Sequence, residues 1–68
     1  MNDISLALQA KRDEGLTDAA IAEWLRRFPG LEHASNSSVR RWRVGTAYPQ
    51  HSYAEPLKLA LALKDTAL

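Results

Sequence analysis

The chain has 68 residues, 46% of them hydrophobic and 25% charged, with a net charge of +1 and no cysteine. That is one small domain's worth of chain, too apolar for a disordered segment and too short for two independent cores. The lack of cysteine excludes a disulfide framework, a thiolate zinc site and a thiol nucleophile. No run approaches the roughly 20 apolar residues of a membrane span, and the opening MNDISLALQAKRDEG is charged throughout, unlike a signal peptide. The expectation is a single cytoplasmic domain over residues 1–68, with a marginal core, built as a binding module rather than an enzyme.

The small net charge hides a segregation along the chain. Residues 1–25 set Lys11 and Arg12 against Asp3, Asp13, Glu14, Asp18 and Glu23, a net −3. Residues 26–54 set Arg26, Arg27, Arg40, Arg41 and Arg43 against Glu32 alone, a net +4, and the remainder balances. Every cation of the central cluster is Arg, whose planar fork of donors matches phosphate oxygens and the guanine edge. An acid-free, Arg-only stretch from His33 to Ala54 favours a polyanionic partner over a merely solvated face.

Punctuation divides the chain into four helices, with room for a fifth. The first covers Ile4 to Glu14, with Asp3 as N-cap and Gly15 as stop, and places Ile4, Ala7, Leu8 and the stem of Lys11 on one side. The second covers about 17–28. Thr17 caps it, Asp18 lies in its first turn, and Arg26 and Arg27 complement the dipole at its end. Its stripe is Ala20, Ile21, Trp24, Leu25 and Phe28, and Pro29-Gly30 ends it. Leu31 to Ala34 form a connector with Leu31 turned into the core. Ser35 then caps a third helix, 36–44, anchored by Val39 and Trp42 and stopped by Gly45. After a loop containing Pro49, a fourth helix covers about 53–66, with Ser52 and Glu55 at the spacing of a capping box. Leu, Ala and Lys dominate its centre, which favours helix over strand despite the alternation. It carries two apolar faces, Leu57, Ala60 and Leu61 on one, Leu59, Ala62 and Leu63 on the other, and the second suggests another subunit or segment. The expected core is Ile21, Trp24, Leu25, Phe28, Val39, Trp42, Leu57 and Leu61.

Thr17, Ala22 and Leu25, followed by Ser35, Val39, Trp42 and Gly45 at their spacings, resemble the Cro and lambda-repressor-like (XRE) helix-turn-helix DNA-binding family. Pro49 and the closing Leu57 to Leu63 helix are also similar to that family, and the resemblance covers roughly residues 4–63. It implies a compact all-α helix-turn-helix domain whose third helix enters the DNA major groove. One departure is the turn: the family joins its motif helices by about three or four residues, whereas Leu25 and Val39 are farther apart by roughly seven, an elongated variant.

Read residue by residue, the third helix offers Asn36, Ser37, Arg40 and Arg41 to base edges, with Asn matched to adenine and Arg to guanine. Thr17, Ser35, Ser38, Arg43, Thr46, Tyr48, Gln50 and His51 are placed for phosphates. Asn36 and Ser37 can equally act as caps, and Arg40 can remain a solvated helix residue. Trp24 and Trp42 lie on apolar stripes, so they read as core rather than as stacking platforms. His33 and His51 are isolated, so no metal is expected, and neither a cofactor nor a small-molecule substrate is implied.

The leading expectation is therefore a sequence-specific double-stranded DNA-binding domain of a transcriptional regulator or repressor, bacterial and plasmid- or phage-encoded. A homodimer, or adjacent copies on repeated sites, would form through the C-terminal helix. The runner-up is the DNA-binding part of a plasmid segregation or phage maintenance protein. The alternative from another class is a protein-interaction module, such as an antitoxin or adaptor, using the Leu-rich fourth helix. Paired catalytic carboxylates and a phosphate-cradling Gly loop are both missing from the sequence, which argues against an enzyme.

Overall fold

Residues 2–63 are described by a computed structural model, in which four helices and no strand appear among the described residues. They are α1 (Asp3–Asp13), α2 (Asp18–Leu25), α3 (Asn36–Val44) and α4 (His51–Ala60). The radius of gyration, 10.9 Å, equals the roughly 11 Å expected of a folded chain of this length. The domain is all-α, as its composition and periodicity imply.

Helix α1 begins one residue earlier than expected. Asn2, not Asp3, is the N-cap, its side-chain oxygen accepting the Ser5 N–H at 2.8 Å. Asp3 instead enters the first turn, where its charge favours the positive helix end. The buried side of α1 is Ile4, Ser5 and Leu8, with Ala7 half-buried. The Lys11 ammonium lies 5.0 Å from the Trp24 ring centroid, its stem covering apolar surface as its position predicts.

Thr17 caps α2 through the Ala20 N–H at 3.1 Å. The helix ends at Leu25, not at residue 28. Pro29 disfavours the helical region at Phe28, and the chain tightens before reaching it: Arg27 N–H donates to the Trp24 carbonyl and Phe28 N–H to that of Leu25. Phe28 still packs edge-on to Trp24, centroids 5.0 Å apart. Both rings are half-buried against the core rather than inside it, and Leu61 joins them at its margin.

The elongated connector is a built element. Leu31 N–H donates to the Phe28 carbonyl and Ala34 N–H to the Leu31 carbonyl, two successive tight turns. Leu31 and Ala34 are both buried, and Arg26 spans the connector, donating to the Ala34 carbonyl at 2.8 Å. Gly30 takes φ +86°, and its N–H is received by both carboxylate oxygens of Glu32 at 3.1 Å. A Cβ at Gly30 would lie 2.8 Å from Pro56 Cγ of α4. Gly30→Ala is therefore expected to cost about 1–2 kcal/mol from the backbone conformation alone. In a chain this small that lowers Tm by roughly 4 to 16 °C. Thermal melting followed by circular dichroism checks it, and an unchanged Tm would show that neither the left-handed backbone nor the Pro56 contact opposes a side chain at residue 30.

The expected bounds of α3 hold. Ser35 Oγ accepts the Ser38 N–H at 3.1 Å, and Gly45 closes the helix at φ +86°. Val39 and Trp42 are its buried residues. Ser5 Oγ of α1 donates to the Trp42 carbonyl at 2.6 Å, satisfying the one buried polar side chain among the described residues.

Helix α4 departs from expectation at both ends. It starts at His51, one residue before Ser52, so Ser52 and Glu55 are already helical and make no capping box, and Gln50 supplies no side-chain cap. It stops at Ala60 instead of running to about 66. Ala62 adopts φ +57°, Leu63 N–H donates to the Lys58 carbonyl at 2.8 Å and Ala62 N–H to that of Leu59. This is the Schellman geometry, with Ala in the position Gly normally fills. The chain turns there because the reversal folds Leu63 against the core, a gain no local pattern announces. The expected residues 64–66 of α4 lie outside the described residues. Ile4, Leu8, Ile21, Leu25, Leu31, Val39 and Leu57 are each at most 1% exposed and form the core centre.

Candidate nucleic-acid interface

Helix α3 lies against α1 and α2 and shows its other side to solvent. At about 100° per residue, Val39 and Trp42 define the inward direction, while Ser37, Arg40 and Arg41 fall on the outward half and Asn36 at its edge. All four are exposed, so the structure brings the expected base-reading residues onto one face. Among the described residues neither Arg40 nor Arg41 has an ion-pair partner.

The expected phosphate-contacting residues divide into three groups. Tyr48, Gln50, Thr46 and His51 are exposed along the loop and the start of α4. Tyr48 and Gln50 join Ser38, Arg41, Trp42 and Tyr53 in lining a shallow groove of about 200 Å³ beside the α3 face. Thr17, Ser35 and Ser38 are engaged in caps: Thr17 Oγ1 holds the Ala20 N–H, and Ser35 Oγ holds the Ser38 N–H while donating to Ser38 Oγ at 2.9 Å. Ser37 Oγ lies 3.3 Å from Ser35 Oγ, so the hydroxyls cluster at the N-terminus of α3.

Arg43 forms the third group and is turned inward, a correction to its expected place at the phosphates. Its Nε and Nη2 donate to the two carboxylate oxygens of Asp18 at 2.8 and 3.1 Å, and Nη1 donates to Gln9 Oε1 at 2.9 Å. Gln9 Nε2 in turn donates to Asp13 at 3.0 Å. The fork thus ties the C-terminal half of α3 to the start of α2 and the middle of α1. The paired side chains are only 14% and 21% exposed, so the bidentate geometry is partly shielded from water. Asp18, otherwise a repulsive charge beside any phosphate, is neutralised here. The Arg43 hydrogen bonds hold the Asp18 carboxyl below the ordinary carboxylate range and raise the Arg43 guanidinium further.

A depressed folded-state pKa stabilises the fold above the unfolded value near 3.8 and loses that contribution as pH falls through the folded value. Glu32, held down by the N–H groups of Glu32 and Gly30, acts with the same sign. Stability should therefore fall below about pH 4, and Asp18→Asn should flatten part of that slope. Melts of both proteins between about pH 2 and 6 check it; identical slopes would show the pair contributes nothing.

Two side chains beside these residues escape sequence spacing rules or lie off the expected set. Gln9 completes the Arg43 clamp, a contact across 34 residues that no spacing rule reveals. Val44 is 46% exposed on the outward side of α3. Its signal was available, since it lies four residues after Arg40 and off the Val39–Trp42 stripe.

Among the described residues no helix is long and apolar enough to cross a membrane, and no group of three or more His, Cys, Asp or Glu is placed to hold a metal. Comparison with known proteins returns nothing: no family model, no curated protein and no solved structure matches the chain.

Proposed function

We propose that this domain binds double-stranded DNA sequence-specifically by placing α3 in the major groove, as the regulators and repressors of the Cro and lambda-repressor-like family do. The observation that carries the reading is the division of α3 into two sides. Val39, Trp42 and Arg43 fasten it inward, while Asn36, Ser37, Arg40 and Arg41 stand exposed together on a helix narrow enough for the groove. Tyr48, Gln50, Thr46 and His51 flank that face and serve the phosphates in this reading. Pairing with Arg43 offsets the Asp18 charge, which would otherwise oppose a phosphate at the start of α2. A cytoplasmic protein of bacterial plasmid or phage origin belongs to the same reading.

The test is selection from random duplex DNA with the purified domain, followed by a salt titration on the enriched sequence. A motif with a steep salt slope, about 0.9 per phosphate neutralised, supports the reading. A palindrome points to a dimeric regulator, and an array of direct repeats to a segregation factor. Weak binding at low salt with no motif would reject it.

The protein-interaction reading rests on Leu59, 80% exposed on α4. Its expected apolar face is reduced, because Leu63 folds back onto the core and leaves Leu59 as the face's one large exposed residue among those described. Leu59→Glu should leave a monomer unchanged in sedimentation and should dissociate any dimer or adjacent copies joined there.

A further inference from the structure

The outward side of α3 has a centre line. Midway between Val39 and Trp42 is the inward direction, and the opposite direction falls between Ser37 and Val44, to within roughly 10° at about 100° per residue. Ser37 and Val44 are seven residues apart, close to two turns, so they share one line along the helix. Arg40 and Arg41 straddle that line, each roughly 50° to one side. The side chains that face most squarely away from the core are therefore a hydroxyl at the N-terminal end and an isopropyl at the C-terminal end, with a guanidinium on either flank.

An isopropyl group at that position makes no polar contact and stands outside the core cluster, 46% exposed between two cations. Exposed apolar side chains occur elsewhere on the domain, Leu6 and Leu59 among them; Val44 differs in standing on the centre line of the face that carries Ser37, Arg40 and Arg41. In the major groove the one apolar group on a base-pair edge is the C5-methyl of thymine. We propose that Val44 reads a thymine methyl, setting a T·A preference at one position of the site. This rests on the DNA-binding reading above. It assigns Arg40 and Arg41 to the flanks of that contact, where Arg41 also borders the groove beside Tyr48 and Gln50.

Deoxyuridine differs from thymidine by that methyl alone, so the test replaces each thymine of the enriched duplex by deoxyuridine in turn. Kd is measured for the wild type and for Val44→Ala. One position is expected at which the replacement weakens wild-type binding roughly three- to fivefold, the value of one buried methyl group. At that same position Val44→Ala should bind the thymine and uracil duplexes alike, and its melting temperature should match the wild type because Val44 is outside the core. A motif in which no thymine is sensitive, or in which Val44→Ala keeps the discrimination, overturns the assignment and leaves base reading by α3 standing. Selection that yields no motif overturns both.

Discussion

Trp42→Ala is expected to unfold the domain at room temperature. Trp42 is 7% exposed, packs its ring 5.7 Å from that of Tyr53 on α4, and sits in the cluster formed by all four helices. Truncating a buried Trp costs about 3–5 kcal/mol, and a domain of this size has only about 5 kcal/mol in total. The loss also reaches the backbone. The Trp42 carbonyl is the acceptor for buried Ser5 Oγ, so a collapsing α3 leaves that hydroxyl without a partner. Far-ultraviolet circular dichroism against urea measures it. A variant that melts within about 1 kcal/mol of the wild type would show that α3 is held mainly by Val39 and the Arg43 clamp.

Arg41→Ala should weaken binding to the selected site by about 1–3 kcal/mol while leaving the melting curve unchanged, since its side chain is exposed. Arg40→Ala is the informative companion. The two flank opposite sides of the same helix line, and only Arg41 borders the groove with Tyr48 and Gln50. A side chain reading guanine loses affinity for one sequence only, whereas one holding a phosphate weakens all duplexes alike and lowers the salt slope by about 0.9. Equal loss on specific and random DNA would move Arg41 to the phosphates and leave Arg40 as the cationic base reader. No effect from either variant would count against the whole interface.

What the sequence disclosed and what it concealed separate along a physical line. The bounds of α3 were legible because Ser35 and Gly45 act within one turn of themselves, through a cap hydrogen bond and a left-handed closing residue. Thr17 announced the start of α2 for the same reason. The end of α2 at Leu25 is not legible, because Pro29 restrains only Phe28, whereas the chain already tightens at Arg27 and Phe28 through bonds to the Trp24 and Leu25 carbonyls. The end of α4 was hidden, since Ala62 takes a conformation that Ala disfavours and only the docking of Leu63 compensates. Arg43 was misplaced because its partners are 25 and 34 residues away. The charge count marks an Arg-rich stretch but carries no information on which guanidinium faces inward.

The connector between α2 and α3 has a consequence for how the molecule comes apart. A loop tied only at its ends exchanges its amide protons freely while the helices around it stay shut. Here Leu31 and Ala34 seal one side of the core and donate their own amides within the connector, and Arg26 bridges across it. The Leu31 and Ala34 amides are expected to open only when the core beneath them opens, while those of exposed Glu32 and His33 exchange freely. Connector, α2 and α3 therefore form one cooperative unit, and cutting the connector down to the three or four residues of a short turn would remove core rather than slack.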